Sequence, residues 1–232
     1  MKCYNCGGPH TPKRSDALFC SPRCRVNHHR SSRNSKETDN SGKIILSLCD
    51  HSGAWSKPYR QAGYDVRQVD IQQGMDVRLF EYPGEIYGVL AAPPCTDFSG
   101  AGARWWKNKT EDDLINSLSV VDACLRLVAV CKPKFWVLEN PVGRLKNWLG
   151  DYKFTFNPCE YGDPYTKKTC LWGDFTPPKP LNPVEPLKAA PGNHSMDLYI
   201  RTNGQNLPHS TRGQLRSQTP AGFAQAFFFA NQ

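Results

Sequence analysis

The sequence predicts an α/β domain built on a mainly parallel sheet, preceded by a small cysteine-rich module. Three observations carry this. From Lys43 onward, short apolar runs of strand length alternate with helix-period patterns, the arrangement of repeated β-α-β units. Residues 1–30 hold four cysteines in two close pairs among many basic side chains. Residues 31–42 are polar with no apolar period and read as a flexible linker. A chain of 232 residues can bury one ordinary core and carry one appendage, so the expected domains are 1–30, the linker 31–42, and 43–232.

Each element has a local reason. Ile44–Leu48 is an apolar run of strand length, followed by a Ser52-Gly53 turn and a helix to Ala62, with Gly63 at the position after its C-cap. Tyr64–Val69 reads as the second strand and ends in Asp70. Tyr87–Ala91 is a third buried run, halted by Pro93-Pro94. Thr110 and Asp113 form a capping box that opens a helix with apolar residues 114, 115, 118, 121, 125 and 128 on one face. Phe135–Leu138 is a further strand ending in Glu139, and residues 152–157 and 168–172 read as later strands. Residues 173–218 are rich in Pro, Asn and Gly and weakly patterned. Thr219-Pro220 then starts a last helix, Pro being suited to a first turn.

Composition excludes several classes. Apolar residues at 39% argue against wholesale disorder, and no stretch approaches the roughly 18 uncharged apolar residues of a membrane span. Met1-Lys2-Cys3-Tyr4 lacks the apolar core of a signal peptide, which predicts a cytoplasmic protein with no membrane partner. Reduced thiols then favour metal ligation or catalysis over disulfides. The net charge of +8 favours a polyanionic partner. Residues 1–43 carry nine Lys/Arg against three acids, so most of that charge belongs to the N-terminal piece.

Cys3-x2-Cys6 and Cys20-x3-Cys24 supply four thiolates in two pairs, which suits a tetrahedral Zn2+ site. A segment of about 30 residues has too little core to fold without such a staple. The x3 spacing places the last two ligands at the start of a helix. His28 and His29 join Arg23, Arg25, Arg30 and Arg33 in a basic face, which suits nucleic acid or a merely solvated surface.

The strongest chemical signal is Ala91-Ala-Pro-Pro-Cys-Thr-Asp-Phe-Ser-Gly-Ala-Gly102. Cys95 directly follows a buried strand, at the sheet edge where open α/β folds bind ligands. Glu139-Asn140-Pro141 ends another apolar strand and faces the same crevice. A thiol and a carboxyl group meeting there suit nucleophilic addition to an electron-poor ring, the acid bonded to a ring nitrogen. Cys49, Cys124, Cys131, Cys159 and Cys170 read as structural thiols. The loop from Thr96 to Lys109 adds Arg104, Trp105, Trp106 and Lys107, a mixture suited to base stacking and phosphate pairing, or to a surface loop whose tryptophans pack on the domain.

From about Lys43 to its end, through the Pro-Pro-Cys and Glu-Asn motifs and the Phe98-Ser99-x-Ala101-Gly102 pattern, the chain resembles the C5-cytosine-specific DNA methyltransferases, especially compact, phage-like members. The resemblance implies a Rossmann-like S-adenosyl-L-methionine-dependent fold and DNA with a flipped-out cytosine as partner. It implies that Cys95 attacks C6, that Glu139 bonds N3, and that C5 takes the methyl group. Ser99, Arg104, Trp105 and Lys107 would face the DNA. Amino-methylating relatives carry Pro-Pro-Tyr/Phe instead, so a cysteine argues against an exocyclic nitrogen as target.

At the cofactor end, Leu46-Ser-Leu-Cys-Asp-His-Ser-Gly-Ala54 stands where the family has Asp-Leu-Phe-x-Gly-x-Gly-Gly. Ser47 falls on the opening Asp and His51 on the first glycine, leaving Asp50, Ser52 and Gly53 as contacts. Asp70 ends the second strand, where an acid accepts from a ribose diol. Asp76 and Pro94 complete the expected cofactor set. Tyr161-Gly-Asp-Pro-Tyr-Thr-Lys-Lys-Thr169 resembles Gly-x-Pro-Gln-x-Arg-x-Arg, with Lys167 in place of the first Arg, near the cytosine O2, but without its planar fork. Only residues 173–218 remain for target recognition, which implies a short or loosely read site in a monomeric enzyme. Two alternatives stand beside this reading: an inactive zinc-containing nucleic-acid binder, or the same chemistry on RNA or with a modified cofactor.

Overall fold

The computed structural model describes residues 19–25, 39–82, 84–190, 194–203 and 209–232, and the chain divides into two compact units, Met1–Asp39 and Asn40–Gln232. The larger unit begins with Asn40, whose side chain donates to Ala62 O and accepts from Lys43 Nζ, at 2.9 and 2.8 Å. These bonds fix to the domain a residue expected in the linker.

Six strands form one sheet: β1 (Ile44–Leu48), β2 (Asp65–Val69), β3 (Gly88–Ala91), β4 (Phe135–Pro141), β5 (Phe154–Phe156) and β6 (Thr169–Asp174), in spatial order β2-β1-β3-β4-β6-β5. The first four run parallel, while β6 pairs antiparallel with β4 and β5. The sheet is therefore mixed, parallel only in its first four strands.

Successive side chains point to opposite faces, and this alternation builds two cores. Ile45, Leu90, Phe135, Val137 and Leu171 face a layer with Trp55, Tyr59, Phe223 and Phe227, contributed by the β1–β2 connection with α1 (Lys57–Gln61) and by the last helix (Ala221–Ala230). Leu46, Leu48, Val89, Ala91 and Leu138 face Val121, Cys124 and Leu127 of α2 (Glu111–Cys131). The Thr110–Asp113 capping box forms as expected. Ile115, however, is 62% exposed, so the buried stripe runs through 121, 124 and 127. The helix is long and apolar enough, by length and composition alone, to cross a membrane, although it holds no uncharged stretch of about 18 residues. Asp122 and Arg126 interrupt the apolar run, and the buried stripe lies on the sheet.

After β4 come α3 (Lys146–Leu149), β5, a 3-10 turn at Pro158–Tyr161 and β6. Residues 173–218, weakly patterned in sequence, contain α4 (Ser195–Asn203) and α5 (His209–Ser217). Met196 and Ile200 of α4 pack with Tyr165 in a small cluster of their own. The last helix, α6 (Ala221–Ala230), starts with Gly222 so close to the 158–161 turn that a Cβ there would lie 1.7 Å from Tyr161 O.

Candidate active-site cleft

The parallel strands β1, β2, β3 and β4 share one carboxyl edge, and β4 holds there by Asn140 pairing with Cys170 and Pro141 with Thr169. Along this edge lies a cavity of about 640 Å³. It is lined by Asp50, Ser52, Asp70, Asp76, Pro94, Cys95, Glu139 and Lys167, so the structure brings together eight of the expected site residues from five parts of the chain. Gly53 does not line it. Its φ of +64° makes the turn before α1, and a Cβ there would press on the Gln68 side chain.

The Pro-Pro-Cys segment has few ways to be held, because proline has no N–H to donate. Ala92 N donates to Leu48 O at 2.9 Å, just before the prolines. Phe98 N and Ser99 N donate to Cys95 O at 3.1 and 2.8 Å, just after them. Between these points the Asn140 carboxamide, wholly buried, donates Nδ2 to Pro93 O at 3.0 Å. Adjacent residues of β4 thus do different work on its two sides: Glu139 faces the cleft and Asn140 grips the turn that carries Cys95.

Burial dominates the electrostatics. It pushes the Cys95 thiol above its ordinary value; the Glu139 charge adds to this and the Lys167 ammonium opposes it. Burial likewise raises Glu139, with Lys167 opposing and Asp50 reinforcing. Glu139 Oε2 is buried with no hydrogen-bond partner among the described residues. A carboxyl held this way favours the neutral, proton-donating form. Lys167 Nζ donates to Arg216 O at 2.8 Å, at the C-terminal end of α5 where carbonyls lack helical partners.

The carboxylates toward the β1 and β2 ends divide by engagement. Asp50 accepts from the Ser47, Ser52 and Ser56 hydroxyls at 2.9, 3.2 and 3.2 Å, so it organises the turn after β1. Asp76 is held below the usual carboxylate range by hydrogen bonds from the Arg78 guanidinium, which engages both its oxygens. Asp70 differs. One oxygen caps the 71–73 turn by accepting Gln72 N at 2.8 Å, and the other has no partner among the described residues.

Ser99, Arg104, Trp105 and Lys107 lie outside the cavity, in a 3-10 segment, Gly100–Asn108, and its N-cap. The segment is pinned at its base. Lys109 pairs with Asp97 at 2.8 Å, Arg144 Nε donates to Asp97 O at 2.7 Å, and the Arg144 guanidinium sits 4.7 Å above the Trp106 ring. Trp106 therefore packs on the domain, whereas Trp105 is 54% exposed. The thiols read as structural also divide: Cys124 and Cys170 are buried, while Cys49, partly buried at φ +57°, lines the cleft. His51, Gln214, Gln218 and Thr219 line it too and were not anticipated as site residues. Of the expected metal ligands, Cys3 and Cys6 lie outside the described residues. Cys20 precedes a helical turn at residues 22–25 and Cys24 lies within it, with their Sγ atoms 3.4 Å apart.

Residues 50–152 match the sequence family described as C-5 cytosine-specific DNA methylase, a span that includes Cys95 and Glu139 but stops short of Lys167. The chain is 31% identical over 121 residues to "Probable DNA (cytosine-5)-methyltransferase" of Frog virus 3 (isolate Goorha), covering 46% of this chain and 56% of that protein. It is 29% identical over 117 residues to Type II methyltransferase M.DdeI of Desulfomicrobium norvegicum, covering 42% of this chain and 26% of that one. The chain thus spans about half the length of the first of these relatives and a quarter of the second. A crystal structure assigned as a DNA modification methyltransferase of an E. coli prophage aligns with TM-score 0.45 at 20% identity, over 62% of this chain and 53% of that one.

Proposed function

We propose that the chain is a DNA cytosine-C5 methyltransferase. The observation that carries this reading is the meeting of Cys95 and Glu139 at one cleft, the Glu139 Oε2 buried and without a partner among the described residues, within the span that matches the cytosine methylase family. The Cys95 sulfur adds to C6 of a cytosine extruded from its stack. Glu139, raised by burial, donates to N3 and draws the electron pair away from C6, so that density builds at C5. Lys167 supplies positive charge beside both groups, favouring the thiolate at the moment of attack. After C5 is substituted, loss of its proton expels Cys95 and restores the ring.

S-adenosyl-L-methionine, when bound, supplies the electrophilic methyl group. The residues fit it at Asp70, whose free oxygen is placed to accept from a ribose diol. Pro94 and Ser52 line the remainder, while Asp50 and Asp76 shape the wall through their own partners. Zn2+ on Cys3, Cys6, Cys20 and Cys24 belongs to the same proposal, supported by the 3.4 Å approach of the last two sulfurs. Metal analysis of the purified chain beside a Cys20→Ser, Cys24→Ser variant tests it.

Transfer of labelled methyl from S-adenosyl-L-methionine to DNA, measured for the wild type and Cys95→Ala, tests the enzyme. Label in 5-methylcytosine that disappears in the variant is the expected result. Cofactor binding without transfer to any nucleic acid would favour a binding protein on the same fold.

A further inference from the structure

Beside the cleft, three chain segments lie against one another through backbone bonds. Ser99 bridges Gly143, Gly100 N donates to Val142 O at 2.8 Å, Arg144 N to Phe98 O at 2.9 Å, and Val142 N to Lys168 O at 3.2 Å. Gly143 permits this contact, since a Cβ there would lie 1.8 Å from Phe98 O. The segments 99–109, 142–150 and 165–169 together contain seven Lys/Arg and no acid. They also expose large apolar side chains: Trp105 at 54%, Trp148 at 44% and Val142 at 43%. The Arg104 guanidinium stacks 5.1 Å from the Trp105 ring, presenting a flat cationic face.

We propose that this surface holds an unpaired DNA strand next to the target cytosine, so that the substrate is single-stranded or locally opened DNA. The inference rests on the methyltransferase reading for the identity of the target base. It follows from what each partner displays. Duplex DNA offers phosphates outside and keeps its base faces stacked, so exposed indoles gain little from it. An unpaired strand offers both base faces and phosphates, matching tryptophans interleaved with Arg104, Lys107, Lys146 and Lys168. Among the described residues, the helices beyond the sheet and its flanking layers are the small α4–α5 pair.

The test is fluorescence anisotropy of the full chain, without cofactor, against one labelled 20-nucleotide sequence as single-stranded DNA, duplex DNA and RNA. Single-stranded DNA is expected to bind at least ten-fold more tightly than duplex. Trp105→Ala and Lys146→Glu, both at exposed positions, should each weaken that binding about five-fold or more while changing duplex binding less than two-fold. Trp148→Phe serves where Trp148→Ala loses its edge contact with Phe98 and unfolds. Equal or tighter duplex binding, equal weakening of both DNA forms, or RNA bound as tightly as single-stranded DNA would overturn the proposal. The readout needs neither methyl donor nor Cys95. A protein that shows the strand preference but transfers no methyl group fails the proposed function, while the assignment of this surface to an unpaired DNA strand stands.

Discussion

Replacing Glu139 by Gln separates what the site needs from what the fold prefers. Glu139 is raised chiefly by burial, and its Oε2 is buried with no hydrogen-bond partner among the described residues. A raised carboxyl makes the folded state hold a proton that the unfolded chain has already released. Stability contributed by this residue therefore falls as pH climbs from the ordinary carboxylate value through the raised one. Leaving a buried polar group unsatisfied costs about 1–3 kcal/mol. Gln keeps the shape without the charge, and its own amide also needs partners, so about 1 kcal/mol of that cost should be recovered. For a chain of this size that is a Tm increase of about 2–4 °C. The increase should be present at pH 8 and vanish near pH 4, where wild type and variant are both neutral. Thermal melts across that range, beside a methyl-transfer assay, give the answer. A Glu139→Gln protein that is less stable at pH 8, or whose stability difference does not change with pH, refutes the assignment of a destabilised buried acid.

Three further outcomes follow from the same geometry. Asn140→Ala should leave the Pro93 carbonyl without its donor; kcat should fall at least ten-fold with cofactor KM within two-fold, and iodoacetamide labelling of Cys95 should show the turn loosened. Alkylation of Cys95 should rise only at alkaline pH because burial raises the thiol. Its midpoint should move up in Lys167→Met and down in Glu139→Gln, as read by labelling rate against pH. Gly143→Ala should drive a Cβ into Phe98 O and destabilise the fold by about 1–3 kcal/mol, measured by urea unfolding, with Trp106 fluorescence reporting the shifted loop.

Much of the sheet was legible because buried parallel strands need continuous apolar runs: Ile44–Leu48 and Gly88–Ala91 stand almost as read. Strand direction was less so. Nothing in the composition of residues 168–172 says that β6 returns antiparallel, since that depends on the turn at 158–161 and on α6 docking through Gly222. The α4–α5 pair escaped because its buried contacts are few and its residues mostly polar. At the site, Cys95, Glu139 and Asp70 were readable from their places at strand ends. The engagement of Asp50 with three serines and of Asp76 with Arg78 was not, because it is decided by side-chain geometry rather than by residue type. Trp105 and Trp106 look alike in sequence, yet Arg144, nearly forty positions away, captures only the second.

A covalent bond between Cys95 and cytosine C6 is the central step of the proposed reaction. An oligonucleotide carrying 5-fluorocytosine tests it most directly, because fluorine at C5 cannot leave as a proton does and so blocks expulsion of the cysteine. Incubated with the protein and S-adenosyl-L-methionine, then digested and weighed by mass spectrometry, it should yield a DNA adduct on the peptide containing Cys95, absent in Cys95→Ala. An adduct on another residue, or methylated cytosine formed from ordinary DNA with no adduct on the fluorinated strand, would contradict the mechanism.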